Sequence, residues 1–265
     1  MRELIKKFCR NPRKAIIYAF THPLFVIHTI LYDEDFYLFK TYLKPLASYL
    51  NCSMNDLKYY LSDLRSDDEF WNHIKEKGEK IKKLLETKYI GAPPPSVLEM
   101  IYCIIRIVKP QIVVETGVAA GYSTPIILKA LDDNGVGMLY SIDLPARTFL
   151  SSIGVEAEIP AFFKVGYLVP PSLFGLWKLI LGDARQELPA LVNKLPFIDI
   201  FLHDSLHTYE HMSFEYEVVY PKIKEGGLLL SHDVTWNKAF LEFAQRVKRT
   251  PLIFYQGDGF GIIRK

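Results

Sequence analysis

Between residues 33 and 90 the apolar positions recur at helical spacing. In "DDEFWNHIKEKGEKIKKLLETKY" these are Phe70, Trp71, Ile74, Ile81, Leu84 and Leu85, and the lysines and glutamates between them read as a solvated face. Asp67 or Asp68 is placed to cap the start of that helix. "GAPPPS", Gly91 to Ser96, breaks the pattern, because three successive prolines cannot continue a helix. The domain boundary is placed there, so residues 1–90 form a helical amino-terminal region and residues 91–265 a second domain. After it, Ser96 is placed to cap a helix over Val97 to Val108, which stops at Lys109-Pro110. Short runs rich in valine, isoleucine and leucine then alternate with helical segments. They are "IVVET" (112–116), "MLYSID" (138–143), "WKLIL" (177–181), "IDIFLH" (198–203), "GLLLS" (227–231) and "LIFYQ" (252–256). Near-continuous apolar strands separated by helices predict a parallel sheet covered on both faces. The ending "PLIFYQGDGFGIIRK" predicts an antiparallel hairpin at the sheet's edge. The expected fold is α/β and doubly wound: a Rossmann-like, mostly parallel seven-stranded sheet with a helical amino-terminal extension.

The run Ala15 to Tyr32, "AIIYAFTHPLFVIHTILY", stands apart from that scheme. It follows Arg2, Lys6, Lys7, Arg10, Arg13 and Lys14, and Pro23 would kink it. At borderline length for a membrane span, it would also place everything after residue 32 outside the cytoplasm, the wrong side for the chemistry argued below. A secretory signal would have a shorter apolar stretch and a small-residue cleavage site. Two readings stand: a buried or homodimer-forming helix pair, or a helix making peripheral contact with the inner membrane face. Elsewhere composition is that of a globular cytoplasmic protein. A net charge of +2 gives no support for a nucleic-acid partner, and Cys9, Cys52 and Cys103 form no CxxC pair, which suggests free thiols.

Candidate chemistry gathers at the carboxyl ends of the expected strands, where ligands bind in such sheets. The first strand ends in "VVETGVAAGYST". Gly117 and Gly121 permit a tight turn and close backbone approach, and Tyr122, Ser123 and Thr124 open the next helix. The nicotinamide fingerprint G-x-G-x-x-G is absent. Asp143 ends the second strand, where a carboxylate can accept from ribose hydroxyls. In "LGDARQELP", Asp183 with the backbone of Ala184 could meet an adenine amino group, and Glu115 would suit a cationic amino acid moiety. A ribose, an adenine and a cationic amino acid together describe S-adenosylmethionine.

From about Val97 to Lys265 the chain resembles a class I S-adenosylmethionine-dependent methyltransferase. In particular it resembles the small-molecule and sugar O-methyltransferases grouped with the macrocin-type and catechol-type enzymes. The matching pieces are "VVETGVAAGYST", "LYSIDL", "LILGDARQELP", "IDIFLHDSLHTYEHMSFEYE", "YPKIKEGGLLLSHDV" and the terminal hairpin. The resemblance implies that Glu115, Gly117, Gly121 and Ser123 border the methionine part, Asp143 the ribose, and Asp183 with Ala184 the adenine. Its expected activity is O-methylation of a hydroxyl on a sugar, a glycan or another small molecule.

"FLHDSLHTYE" closes the fourth strand beside the expected methyl donor. The resemblance implies Asp204 as a divalent-metal ligand, with His232 and Asp233 in "LLSHDV" as the other two. Magnesium prefers all-oxygen ligands, so His232 weakens its case and leaves room for manganese, iron or zinc, or for no metal. Leu206 stands where the family has a second acid, the expected base in the sugar enzymes. His207 is its best substitute, so His207 and Asp204 are the candidate catalytic pair. The long segment 144–176, with "IPAFFKVGYLVPPSLFGL", reads as a lid over the acceptor site or as a clamp against the amino-terminal helices or a dimer mate. Two other functions fit the same residues: an oxygenase-type relative with a redox metal at His232, and a non-catalytic, membrane-associated S-adenosylmethionine-binding protein.

Overall fold

A computed structural model describes residues 42–84, 93–152 and 163–265. The run at 15–32 therefore lies outside the described residues, and no helix among the described ones is long and apolar enough to cross a membrane. The chain divides into two compact units, residues 1–54 and residues 55–265. In the first, helix α1 (Lys44–Leu50) carries Pro45 in its first turn and ends at Asn51, whose left-handed backbone turns its N–H onto the carbonyls of Ala47 and Ser48.

The second unit takes in two helices that precede the proline run, α2 (Met54–Ser66) and α3 (Asp68–Leu84). Asp67 is the α3 cap, its Oδ1 accepting from the N–H of Phe70 at 2.9 Å. Ion pairs from the largely buried Arg106 and Lys129 join these helices to the rest. Arg106 Nη1 donates to Asp63 Oδ2 at 2.8 Å and lies 3.3 Å from Asp133 Oδ2, and Lys129 reaches Asp67 at 3.1 Å. Arg106 belongs to helix α4 (Pro95–Val108), and Lys129 and Asp133 to α5 (Thr124–Asn134), which packs along it. Helix α4 begins two residues earlier than a Ser96 cap would dictate. Pro95 sits at its first position, where a missing N–H costs nothing, and Pro94 is the residue before it. The proline run thus starts a helix as well as stopping one.

The strands are β1 (Ile112–Thr116), β2 (Met138–Asp143), β3 (Trp177–Leu181), β4 (Ile198–His203), β5 (Ile223–His232), β6 (Leu252–Phe254) and β7 (Phe260–Arg264). They form one sheet in the order β3-β2-β1-β4-β5-β7-β6. Neighbours among β1 to β5 are parallel, and β7 runs antiparallel between β5 and β6. The sixth run therefore pairs with β7 and not with the parallel strands. After β3 the chain returns to the other side of β1, so the switch point lies between β1 and β4. Registers align the carboxyl ends: Thr116 pairs with Ile142 and His203, His203 with Ser231, Asp143 with Leu181, and His232 with Phe260.

The intervening helices are α6 (Ala146–Ser152), α7 (Ala184–Lys194), α8 (Tyr209–Val219) and α9 (Ala239–Arg246). One apolar cluster joins α7, α8 and α9 to the sheet through Leu188, Leu191, Met212, Tyr216, Phe240 and Phe243, packed on Val114, Phe201 and Leu229. The Tyr216 hydroxyl finds a partner inside this core, Ser231 Oγ at 2.6 Å. With apolar contact on this face and all six β4 residues from Ile198 to His203 buried, the sheet ends are held rigidly enough to position side chains.

Candidate active site

At the switch point the chain leaves β1 through Gly117, φ +84°. A Cβ there would lie 1.9 Å from the carbonyl oxygen of Asp204. The N–H of Asp204 in turn donates to the Thr116 carbonyl at 2.8 Å. The loops after β1 and β4 thus cross backbone to backbone, a contact that a side chain would prevent. Asp143 fastens the next turn of the glycine loop. Its Oδ2 accepts from the N–H groups of Val118 and Ala119 at 2.9 and 2.6 Å, and its Oδ1 from Leu144 at 2.7 Å. A carboxylate offers about four acceptor positions, so Asp143 keeps one open toward a ligand hydroxyl. Burial raises its pKa despite those three amides.

A cavity of about 870 Å³ opens here, lined by Gly117, Ser123, Asp143, Asp183 and Ala184 on one side and by Asp204, His207, His232 and Asp233 on the other. That size suits a cofactor with part of an acceptor. Asp183 caps α7, its Oδ1 accepting from Arg185 N–H at 2.8 Å, which leaves Oδ2 for another donor.

Two expected cofactor residues lie behind this wall. Glu115 is fully buried and accepts from Ser123 Oγ, Thr124 Oγ1 and Ser141 Oγ at 2.7, 2.9 and 2.8 Å. Burial lifts its pKa to about 7, against the pull of the three hydroxyls. Gly121 faces Gly166, and a Cβ on it would stand 3.1 Å from the Gly166 Cα. That contact belongs to residues 163–176, which clasp the outside of the glycine loop. Gly166 N–H donates to Ala119 O and Leu168 N–H to Ala120 O, both at 2.9 Å. Phe163 and Leu168 bury against Ala120 and Ile81 of α3. From the segment expected as a lid, only Leu144 among the described residues lines the cavity.

The acidic wall brings together a set that differs by one residue from the sequence expectation. Asp204, His207 and Asp233 each offer one ligand atom, all within 4.8 Å of one another. His207 Nε2 lies 3.1 Å from Asp233 Oδ2 and 3.8 Å from Asp204 Oδ1. His232 lines the same cavity, but its Nε2 stands 3.9 Å from Asp204 Oδ2 and outside that group. The register explains this: His232 still belongs to β5 and packs on Phe260, whereas Asp233 has left the strand with a left-handed backbone, φ 53°.

Electrostatics mark the set as strained for want of positive charge. Burial, then Asp233, Glu115 and Asp143, push Asp204 well above the carboxylate range. Burial and then Asp258 push Asp233 up to about 6. His207 and His232 are both driven down to about 3, chiefly by burial, and are neutral imidazoles. Two carboxyls and a neutral imidazole can hold a divalent cation while leaving positions for other ligands. The mixed oxygen and nitrogen donors suit manganese, iron or zinc better than magnesium.

Beneath this wall lies a residue that sequence reasoning passed over. Glu215 of α8 is wholly buried and takes four hydrogen bonds, two per oxygen. Oε2 meets Thr116 Oγ1 and His203 Nδ1, both at 2.6 Å; Oε1 meets Ser205 Oγ at 2.8 Å and His211 Nε2 at 2.9 Å. Burial alone would raise its pKa, but His203 and His211 bring it below the usual range. The spacing of His211 and Glu215, one helical turn apart, was the available sequence signal. At the cavity mouth Leu206 and Trp236 are exposed, 57% and 60%, and the Trp236 ring lies 5.4 Å from that of His207.

Residues 114–234 match a family model described as a methyltransferase domain. No curated protein is similar enough in sequence to match the chain. Among solved structures the fold is shared with an SAH-bound methyltransferase from Podospora anserina, at 15% identity, covering 74% of this chain and 87% of that one, with a TM-score of 0.50. A methyltransferase from Geobacter sulfurreducens aligns at 16% identity over 72% of this chain and 90% of its own, TM-score 0.51. An O-methyltransferase from Bacillus cereus in complex with SAH aligns at 15% identity over 78% and 96%, TM-score 0.50. Residues 114–234 thus match a methyltransferase-domain model, and the seven strands in this order, with a glycine turn at the switch point, are the fold that the chain shares with these methyltransferase structures.

Proposed function

We propose that the protein is an O-methyltransferase that moves a methyl group from S-adenosylmethionine to a hydroxyl of a sugar, glycan or other small molecule. The observation that carries this reading is one cavity whose lining holds both a nucleoside-type set of acceptors, Asp143 and Asp183, and an acid–imidazole set, Asp204, His207 and Asp233. In the first, Asp143 has one acceptor position left for a ribose hydroxyl and Asp183 Oδ2 is open to an adenine amino group. S-adenosylmethionine supplies an electrophilic methyl on a sulfonium when bound. Displacement needs the acceptor oxygen in line with it and stripped of its proton.

The second set provides for that proton. His207 is neutral and can receive it at Nε2, 3.1 Å from Asp233 Oδ2, and Asp233 in its carboxylate form would stabilise the resulting imidazolium. Held at Asp204, His207 and Asp233, a divalent cation would instead lower the hydroxyl's own pKa. The exposed faces of Trp236 and Leu206 at the mouth favour an acceptor with a ring to lay against them.

Calorimetric titration with S-adenosylhomocysteine, followed by turnover on catechols and methyl glycosides with and without chelator, tests the reading. Micromolar binding and methylation of either class support it. Turnover that survives chelation assigns the proton to His207, and turnover restored by metal assigns the cation. Absence of S-adenosylhomocysteine binding would overturn the proposal.

A further inference from the structure

The buried carboxylate of Glu215 has no place in the chemistry above, yet its four donors come from the ends of β1 and β4, the loop after β4 and the first turn of α8. Thr116 is the last residue of β1, directly before Gly117. His203 is the last residue of β4, directly before Asp204, and Ser205 directly follows it. His211 lies in the first turn of α8 and lines the cavity itself. The side chains therefore meet under the point where the backbones of Gly117 and Asp204 cross. A buried charge is costly unless every lone pair is used, and here four donors meet about four acceptor positions. Apolar packing could have filled the same space, so the arrangement carries information that packing alone would not: it sets the relative position of two loops.

We propose that Glu215 is a positioning residue that staples the glycine turn to the Asp204–His207 loop and fixes both buried imidazoles in single tautomers. An ionised carboxylate only accepts, so His203 carries a proton on Nδ1 and His211 on Nε2. With Nδ1 so engaged, His203 presents its ring to His207, edge to face at 5.1 Å between centroids, and supports the imidazole that faces Asp233. The assignment of the two loops to cofactor and acceptor rests on the methyl-transfer reading; the stapling itself does not.

Asp199 provides a matched control. It is equally buried and lies at the opposite end of β4, where it accepts from the N–H groups of Gln111 and Ile112 at 2.8 Å and pairs with Lys224, far from the cavity's lining. The experiment compares the full-length chain with Glu215→Gln and Asp199→Asn, reading S-adenosylhomocysteine affinity by calorimetry and imidazole ¹⁵N shifts by NMR. The amide can no longer accept on both atoms, so one donor pair in Glu215→Gln is broken. The expected result is at least a tenfold loss of affinity and a changed tautomer pattern at His203 or His211, with Asp199→Asn within about twofold of wild type. Thr116→Val with Ser205→Ala removes one donor from each oxygen and serves if Glu215→Gln does not fold; it should lose about threefold to tenfold. Equal affinities in the Glu215 and Asp199 variants, or imidazole shifts unchanged by either Glu215-directed variant, would overturn the proposal. A wild-type chain that does not bind S-adenosylhomocysteine would refute the cofactor reading instead, and the NMR comparison would still decide the staple.

Discussion

Gly117→Ala is the sharpest perturbation this structure offers, because its consequence follows from two features of the backbone geometry. The backbone at Gly117 has φ +84°, a conformation that costs a residue with a Cβ about 1–2 kcal/mol. The added Cβ would sit 1.9 Å from the Asp204 carbonyl oxygen and 2.4 Å from its carbon, where ordinary contact begins at 3.4 Å, so two backbones must part by about 1.5 Å. Neither neighbour is the end of a flexible side chain, and forced overpacking of this kind costs about 1–3 kcal/mol. The sum is about 2–5 kcal/mol if the crossing holds its place. If it yields, the strain appears instead as a displaced Asp204 and lost cofactor affinity. Gly135→Ala separates the two contributions: φ is +65° there and nothing lies within 4 Å of the added Cβ. It should lose only the conformational part and bind S-adenosylhomocysteine normally. Urea unfolding and calorimetry on both variants would measure this. A Gly117→Ala chain as stable as Gly135→Ala, and binding as tightly, would refute the backbone crossing.

Three further expectations follow from the site. In Asp143→Ala the N–H groups of Val118, Ala119 and Leu144 lose their acceptor, which should cost about 2–4 kcal/mol in urea unfolding and abolish S-adenosylhomocysteine binding; unchanged affinity would count against Asp143 as the loop's anchor. Glu115 has a folded pKa of about 7 against 4.5, so the folded state keeps a proton that the unfolded state has released. Stability is therefore lost as pH rises from about 4.5 to about 7, and Glu115→Gln should gain up to about 3 kcal/mol over wild type at pH 8 relative to pH 4; a pH-independent difference in urea midpoints would contradict this. Zinc or manganese titrated calorimetrically should bind wild type and His232→Gln alike, and fail with Asp204→Asn, His207→Ala and Asp233→Asn; loss in His232→Gln would restore the set expected from sequence.

Much of the fold was legible because its signals are local. The apolar runs, the turn residues and the polar strand ends lie within a few residues of one another, so four strands agree with their runs to the residue at both ends. Gly117, Asp143 and Asp183 could be picked out for the same reason: strand-end residues of an α/β sheet face its ligand end wherever the strand stops. Glu115 shows the limit of that logic. It also lies near a strand end, but alternation along β1 turns it under the loop, into a cage of hydroxyls from α5 and β2.

What the sequence determined by itself was therefore the list of elements, their parallel rhythm and the strand ends at which ligands gather. Tertiary structure alone decided which side chains meet. Glu215 gathers donors 99, 12, 10 and 4 residues away in sequence. His207 stands in the acidic triad in place of His232 because His207 lies in the loop after β4, near Asp204 and Asp233, while His232 is still held by strand register. Residues 163–176 clasp the glycine loop through backbone amides that no side-chain pattern could announce. Backbone periodicity is a property of neighbours along the chain, whereas a buried charge or a shared lone pair is settled only when distant segments are brought to hydrogen-bonding distance.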